Sequence, residues 1–285
     1  MTRLAVLSDI HGNLPALEAV MADMVAFRPD AVVVAGDVVN WGPFSCECVE
    51  IVQREGWAVI RGNNEYYLLD HDTPREPAAW LDRTQWPMLA WLKEQLNDYH
   101  ARIAMWPDEL SLCFPDGPPI RVVHGVSNNP WKGLYAAHDS TISAPLLAGI
   151  AEPIVIAGHT HLAMNHTVDQ WQVLNPGTVG VPLSGTGAAQ YMLLDAAGDA
   201  WNPIFRSVDY DQTPVFKAFE AQHFVQRCGP IGHAVVKEFE TSRMQLTPLL
   251  MWREAMCPGA PFDMALWQTF LEQDWFTWAS PEYRF

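Results

Sequence analysis

The stretch LAVLSDIHGN, residues 4–13, is an apolar run that ends in Asp9-Ile10-His11 and then turns on Gly12. A short apolar run of this kind reads as a buried strand, so a carboxylate and an imidazole arrive at its carboxyl end. The pattern recurs along the chain. AVVVA (31–35) leads to Gly36-Asp37, and WAVIR (57–61) leads to Gly62-Asn63-Asn64-Glu65. RVV (121–123) leads to His124-Gly125, and PIVIA (153–157) leads to Gly158-His159-Thr160-His161, with Asn175-Pro176-Gly177 beyond. In open α/β sheets, ligands gather in the crevice outside the carboxyl ends of the strands. Oxygen and imidazole donors suit Mn, Fe, Zn or Ni rather than a thiolate site.

Between these runs lie helical patterns. Leu17, Val20, Met21 and Met24 recur at helical spacing, with Asn13 as N-cap. A strand at 31–35, a helix near 44–55 and a strand at 57–60 complete a βαβαβ start, which predicts right-handed crossovers and a largely parallel first sheet. Residues 66–108 read as a mainly helical insertion. Leu89, Leu92, Leu96, Tyr99 and Ile103 predict one helix over about 87–104, with Pro87 in its first turn. Strands are expected at 110–114 and 120–124. A helix is expected at 139–149, capped by Asp139 or Ser140, and short strands at 166–174, 190–195 and 200–206.

The ordered motifs resemble those of the calcineurin-like metallophosphoesterase superfamily, above all its small bacterial and archaeal phosphodiesterase branch. The likeness runs from residue 3 to about 206. It includes PWKGLY (130–135), NPGTVGVPLSG (175–185) and AAQYMLLD (188–195). It implies an α/β sandwich of two mixed β-sheets flanked by helices, forming a catalytic domain over 1–206. It also implies two divalent transition-metal ions per chain: manganese first, with Fe, Ni or Zn as alternatives. Asp9, His11, Asp37 and His161 would hold one ion. Asp37, Asn63, His124 and His159 would hold the other, with Asp37 bridging. Such ions lie roughly 3.5–4 Å apart and clamp the attacking and leaving oxygens of an in-line displacement. The implied activity is hydrolysis of a small phosphate ester, a phosphodiester above all. A phosphomonoesterase and a dinucleoside polyphosphate hydrolase share this site.

Gly62-Asn63-Asn64-Glu65 departs from the family's Gly-Asn-His-Asp/Glu. Asn64 stands where the resemblance places a histidine that binds the phosphoryl or protonates the leaving group. An amide donates a hydrogen bond but delivers no proton at neutral pH, and a missing general acid typically costs about 10²–10⁴ in rate. His138, in the loop after His124, is the candidate replacement. Asn64 also supports a different expectation, a metal-binding regulatory protein with weak turnover.

Each motif has a plainer reading by itself. A lone His at a strand end is more often structural than a ligand, and Asn63 alone reads as a turn residue. Order and repetition at successive strand ends favour ligation. Asn175-Pro176-Gly177 reads as a turn that shapes the wall of the site.

The chain has 285 residues, 49% of them hydrophobic, and a formal net charge of -16. That charge argues against general nucleic-acid binding, which Lys and Arg drive. It leaves a phosphate substrate possible, because bound cations dominate their local field. No run of eighteen or more apolar residues predicts a membrane span, and the strand starting at Arg3 leaves no room for a leader peptide. Five scattered cysteines point to a reducing cytoplasm rather than a disulfide framework. Residues 207–285 read as a helical C-terminal extension packed on the catalytic domain or on a partner subunit of a homo-oligomer. Its helix starts are expected at Thr213-Pro214, Thr247-Pro248 and Asp263, and Trp252, Trp267, Trp275 and Trp278 supply apolar bulk.

Overall fold

A computed structural model describes residues 1–78 and 86–284. Two five-stranded sheets form its centre. The first has the order β10-β9-β1-β2-β3 and the second β4-β5-β6-β8-β7. In the first sheet β1 (Arg3–Leu7), β2 (Ala31–Val34) and β3 (Ala58–Val59) are parallel. The strands β9 (Ala189–Ala196) and β10 (Trp201–Val208) return antiparallel beside β1. The second sheet contains β4 (Leu110–Phe114), β5 (Gly117–Val123), β6 (Ile154–Ala157), β7 (Met164–Val168) and β8 (Trp171–Asn175). There β5, β6 and β8 run parallel, while β4 and β7 close the edges antiparallel. Both sheets are therefore mixed, and the largely parallel first sheet holds only for its βαβαβ half.

Side-chain alternation along the strands builds three apolar layers. On β1, Leu4 and Val6 face the second sheet, where they meet Ile120, Val122, Ile154 and Ile156. Ala5 and Leu7 face the other way, toward the helices. Residues of the second sheet such as Val123, Val155 and Val173 pack outward with Leu147 and Trp171. Strands buried on both faces read as continuous apolar runs, as LAVL and PIVIA do.

The helix α1 (Leu14–Val25) starts on Asn13, whose side chain accepts from the Ala16 amide, and α2 (Ser45–Arg54) follows β2. The expected helix over 87–104 is broken. It consists of α4 (Pro87–Leu96), a 3₁₀ turn at Asn97–Tyr99 and α5 (His100–Ala104). Asn97 and Asp98 occupy the break, and their short polar side chains compete with backbone hydrogen bonding. The helix expected over 139–149 is a single turn, α6 (Ser140–Ser143), capped by Asp139 and followed by a 3₁₀ turn at Ala144–Leu146. Pro145 lacks the N–H that would continue it. The strand expected over 166–174 is the β7–β8 hairpin. It reverses at Asp169 with φ of 48°, a turn that carries no Gly or Pro signal.

The chain beyond β10 is helical: α7 (Thr213–Ala221), α8 (Phe224–Thr241), α9 (Leu246–Met256), α10 (Met264–Leu271) and α11 (Trp275–Trp278). These helices share one apolar cluster with the outer face of the first sheet and with the helical segment α3 (Asn63–Leu69) to α5. Phe224 is fully buried between Trp91, with ring centroids 4.7 Å apart, and Phe219, at 4.8 Å. Asp263 caps α10 as expected. The other two starts are shifted: α7 has Gln212 at its cap position, and α9 has Gln245. The Gln245 and Leu246 amides at the start of α9 donate to Oε1 of Glu238 on α8, at 2.7 and 2.9 Å. A buried carboxylate from another helix thus takes the place of a local cap. No helix among the described residues is long and apolar enough to cross a membrane.

Candidate metal centre

The motif residues meet where β1, β2, β5 and β6 end. Asp9 (φ 55°), His11 (49°), Asp37 (54°), His159 (67°) and His161 (59°) all hold left-handed backbone conformations. Non-glycine residues pay for that geometry, and such outliers cluster at functional sites. Two neighbouring glycines make the crowding possible. A Cβ on Gly62 would lie 2.1 Å from Asp37 Oδ1, and one on Gly36 would lie 2.7 Å from His124 Nδ1.

Asp9, His11, Asp37, Asn63, His124 and His161 are all buried, and His159 is nearly so. Two donor groups arise: Asp9 with His11 and His161, and Asp9 with Asp37 and His124. Asp9 Oδ1 lies 3.3 Å from His161 Nε2, 3.9 Å from His11 Nε2 and 4.0 Å from His124 Nε2, and it has no hydrogen-bond partner. Asp37 Oδ2 reaches into both groups, 3.6 Å from His11 Nε2 and 3.2 Å from His124 Nε2. Asn63 Oδ1 lies 3.0 Å from His124 Nε2 and 2.8 Å from His159 Nδ1. All seven predicted ligands therefore converge.

The orientation of the rings shows what the cluster fits. His124 Nδ1 donates to the Ala35 carbonyl at 2.8 Å, and His161 Nδ1 donates to the Val181 carbonyl at 2.7 Å. Backbone partners of this kind set the tautomer of metal-binding histidines. Each Nε2 then offers a lone pair inward, and His11 Nε2 and His161 Nε2 face each other at 3.1 Å. Carboxylate oxygens, an amide oxygen and imidazole lone pairs aimed at one another call for cations between them. Without an ion, protons take that role. Burial opposes charge on His124, but the facing Asp37 carboxylate raises it to about 10. Burial lowers His11 and His159 to about 4, leaving both neutral. Burial works against the Asp37 carboxylate too, yet His124 and His11 hold it below the usual range.

Asn64 lines the cavity above this cluster and is committed on every side. Its backbone N–H and its Nδ2 both donate to Asp37, and its Oδ1 accepts from Asn40 Nδ2 at 2.7 Å. His138 is not among the described residues lining the cavity. Its ring lies 5.1 Å from that of Tyr135, and its Nε2 lies 3.9 Å from Glu282. Tyr135 rather than His138 forms the wall there. Asn175 shapes the loop as expected, donating to the Gly158 carbonyl and to Thr160 Oγ1.

Three contributors were not visible in the sequence as site residues. Glu65 accepts from the Asp37, Val38, Val39 and Gly62 amides, so it ties two ligand loops together. Its place in the Asn63 motif was the available signal. Trp41 stacks on His11 at 5.0 Å and 18°. Tyr283, near the end of the chain, lines the cavity and donates to the Thr160 carbonyl at 2.9 Å, between His159 and His161. No local pattern marks either aromatic.

A two-sheet sandwich with aspartate, asparagine and histidine at its strand ends defines a metallohydrolase scaffold. The family model for calcineurin-like phosphoesterases matches residues 2–163, and the chain belongs to that family. An uncharacterized protein of Methanocaldococcus jannaschii is 25% identical over 237 residues, covering 76% of this chain and 90% of that one. Phosphodiesterase YfcE of Escherichia coli K12 is 25% identical over 194 residues, covering 68% and 88%. Among solved structures, a hypothetical protein of Pyrococcus horikoshii aligns with a TM-score of 0.73 at 18% identity, covering 86% of this chain and all of that one. A metallophosphoesterase of Sphaerobacter thermophilus aligns with a TM-score of 0.65 at 24% identity, covering 85% and 100%.

Proposed function

We propose that this metal-dependent phosphoesterase is a phosphodiesterase working with two divalent transition-metal ions, manganese foremost, in a reducing cytoplasm. The observation that carries the proposal is the convergence of Asp9 Oδ1, which has no hydrogen-bond partner, with the inward Nε2 atoms of His11, His124 and His161. When bound, the ions would clamp the phosphoryl group and lower the pKa of the attacking water. Asp9, His11, Asp37 and His161 would hold one, and Asp37, Asn63, His124 and His159 the other. The carbonyls of Ala35 and Val181 keep the His124 and His161 lone pairs turned inward. Trp41 covers one face of His11 and keeps water from it. The likeness to a named phosphodiesterase supports the diester preference.

The test is release of nitrophenolate from bis(4-nitrophenyl) phosphate by protein loaded with Mn²⁺, compared with chelator-treated protein. Turnover that survives chelation, or turnover of the monoester alone, overturns the reading. One observation favours a second reading, a metal-binding regulator with weak turnover: both ends of the Asn64 amide are already taken by Asp37 and Asn40. A turnover at the level of free Mn²⁺, with two ions still bound, would select it.

A further inference from the structure

The cavity over the metal centre has two unlike halves. Its floor is Asn64 with five of the candidate ligands, His11, Asp37, Asn63, His159 and His161. Its walls include Trp41, Tyr67 and Trp86 from the catalytic part, and Met244, Leu246 and Leu250 from the C-terminal segment. The volume is about 290 Å³, at the low end for small-molecule sites. No lysine or arginine is among the described residues that line it. Metal-bound phosphate would sit on the floor, leaving an apolar, ring-lined space directly above.

We infer that this space binds the alcohol portion of the ester, and that the substrate class is a phosphodiester bearing an uncharged aromatic alcohol. The inference rests on the phosphodiesterase reading and names its substrate. Aromatic walls bind a flat ring through stacked and edge-on contacts as well as by burial. A polyphosphate chain would bring several more charges, and the described walls offer no cation to meet them. The C-terminal segment thus acts as a specificity element, since Met244 in the α8–α9 connection and Leu246 and Leu250 on α9 belong to it and no candidate ligand does.

Two measurements test this, and they fail separately. The first is binding of diphenyl phosphate and dimethyl phosphate to Mn²⁺-loaded full-length protein by calorimetry. The phenyl diester is expected to bind at least about tenfold tighter, as burial of an aromatic ring implies. The second is the ratio of the competitive inhibition constants of dimethyl phosphate and methyl phenyl phosphate against turnover of methyl 4-nitrophenyl phosphate. A ratio of about ten or more is expected. Leu250→Ala, and independently Thr247→Arg at an exposed position in the first turn of α9, should each lower both ratios several-fold. Because each ratio compares two ligands on the same protein, loss of folded material does not mimic the effect. Equal binding of the two diesters, or a preference for diadenosine tetraphosphate over both, overturns the inference. Preferential phenyl binding without turnover upholds the pocket and overturns the phosphodiesterase reading instead.

Discussion

Asn64 holds both carboxylate oxygens of Asp37: its backbone N–H donates to Oδ1 at 2.8 Å, and its side-chain Nδ2 donates to Oδ2 at 2.6 Å. The residue standing in for a proton donor is therefore a clamp on the candidate bridging ligand. Its Nδ2 carries a second N–H beyond the one given to Asp37.

Replacing Asn64 with Ala should leave a buried carboxylate oxygen without its amide donor, at a cost of about 1–3 kcal/mol. Chemical unfolding of chelated protein measures this, and an unchanged midpoint and slope would contradict it. Asn64→His restores a group able to carry a proton. Rates on alkyl esters should rise more than rates on nitrophenyl esters, because general acid catalysis matters most for poor leaving groups. Wild-type rates that do not vary with leaving-group pKa would mean that the proton already comes from elsewhere.

Asp37→Ala removes a carboxylate that approaches both His11 and His124, closer to each of them than Asp9 does. Elemental analysis after Mn²⁺ loading should fall from two ions per chain to one or none. Hydrolysis should drop by at least about 10³, the scale on which two-ion clamping is lost. Full activity in this variant would remove Asp37 from the mechanism.

Glu238 provides a pH dependence of stability. Burial pushes its carboxyl up to about 7, while the Gln245 and Leu246 amides pull the other way. An unfolded glutamate titrates near about 4.3. Between those values the folded state keeps a proton that the unfolded state has released. The contribution of Glu238 to stability is therefore full below about pH 4.3 and is lost as pH rises through about 7. It amounts to about 4 kcal/mol at most. Glu238→Gln should flatten the fall in stability between pH 5 and 8, read from urea midpoints on chelated protein. An identical pH slope in variant and wild type would refute this.

The C-terminal helices should behave as part of the core. Ending the chain after Arg206 would also clip β10, which runs to Val208, and strip the shared cluster of Phe219, Phe224, Ile231 and Trp252. The truncated chain should be poorly soluble and melt well below the full protein. Phe224→Ala within the intact chain should cost about 3–5 kcal/mol, seen as a lowered thermal midpoint. A truncated chain as soluble and stable as the full protein would mean that these helices are dispensable.

The meeting of the candidate ligands was legible because they follow five apolar strands, and parallel strands of a sheet bring their carboxyl ends to one edge whatever the details of the connections. The N-caps Asn13, Asp139 and Asp263 were legible for the same local reason: a side chain of the right length satisfies amides two or three residues on. The break at Asn97 and Asp98 and the turn at Asp169 were not, since apolar spacing stays in phase across the first and the second lacks a strong turn residue.

What the sequence alone determined is the inventory: the order of strands and helices, and the seven oxygen and nitrogen donors placed at strand ends. Only the tertiary structure decided how those donors are held and what covers them. Glu65 ties the Asp37 and Gly62 loops, Trp41 lies on His11, and Tyr283 reaches back across 123 residues to the Thr160 carbonyl. Nothing in the local pattern marks the two aromatic contacts. They depend on which surfaces meet once burial of the apolar faces has brought distant segments together.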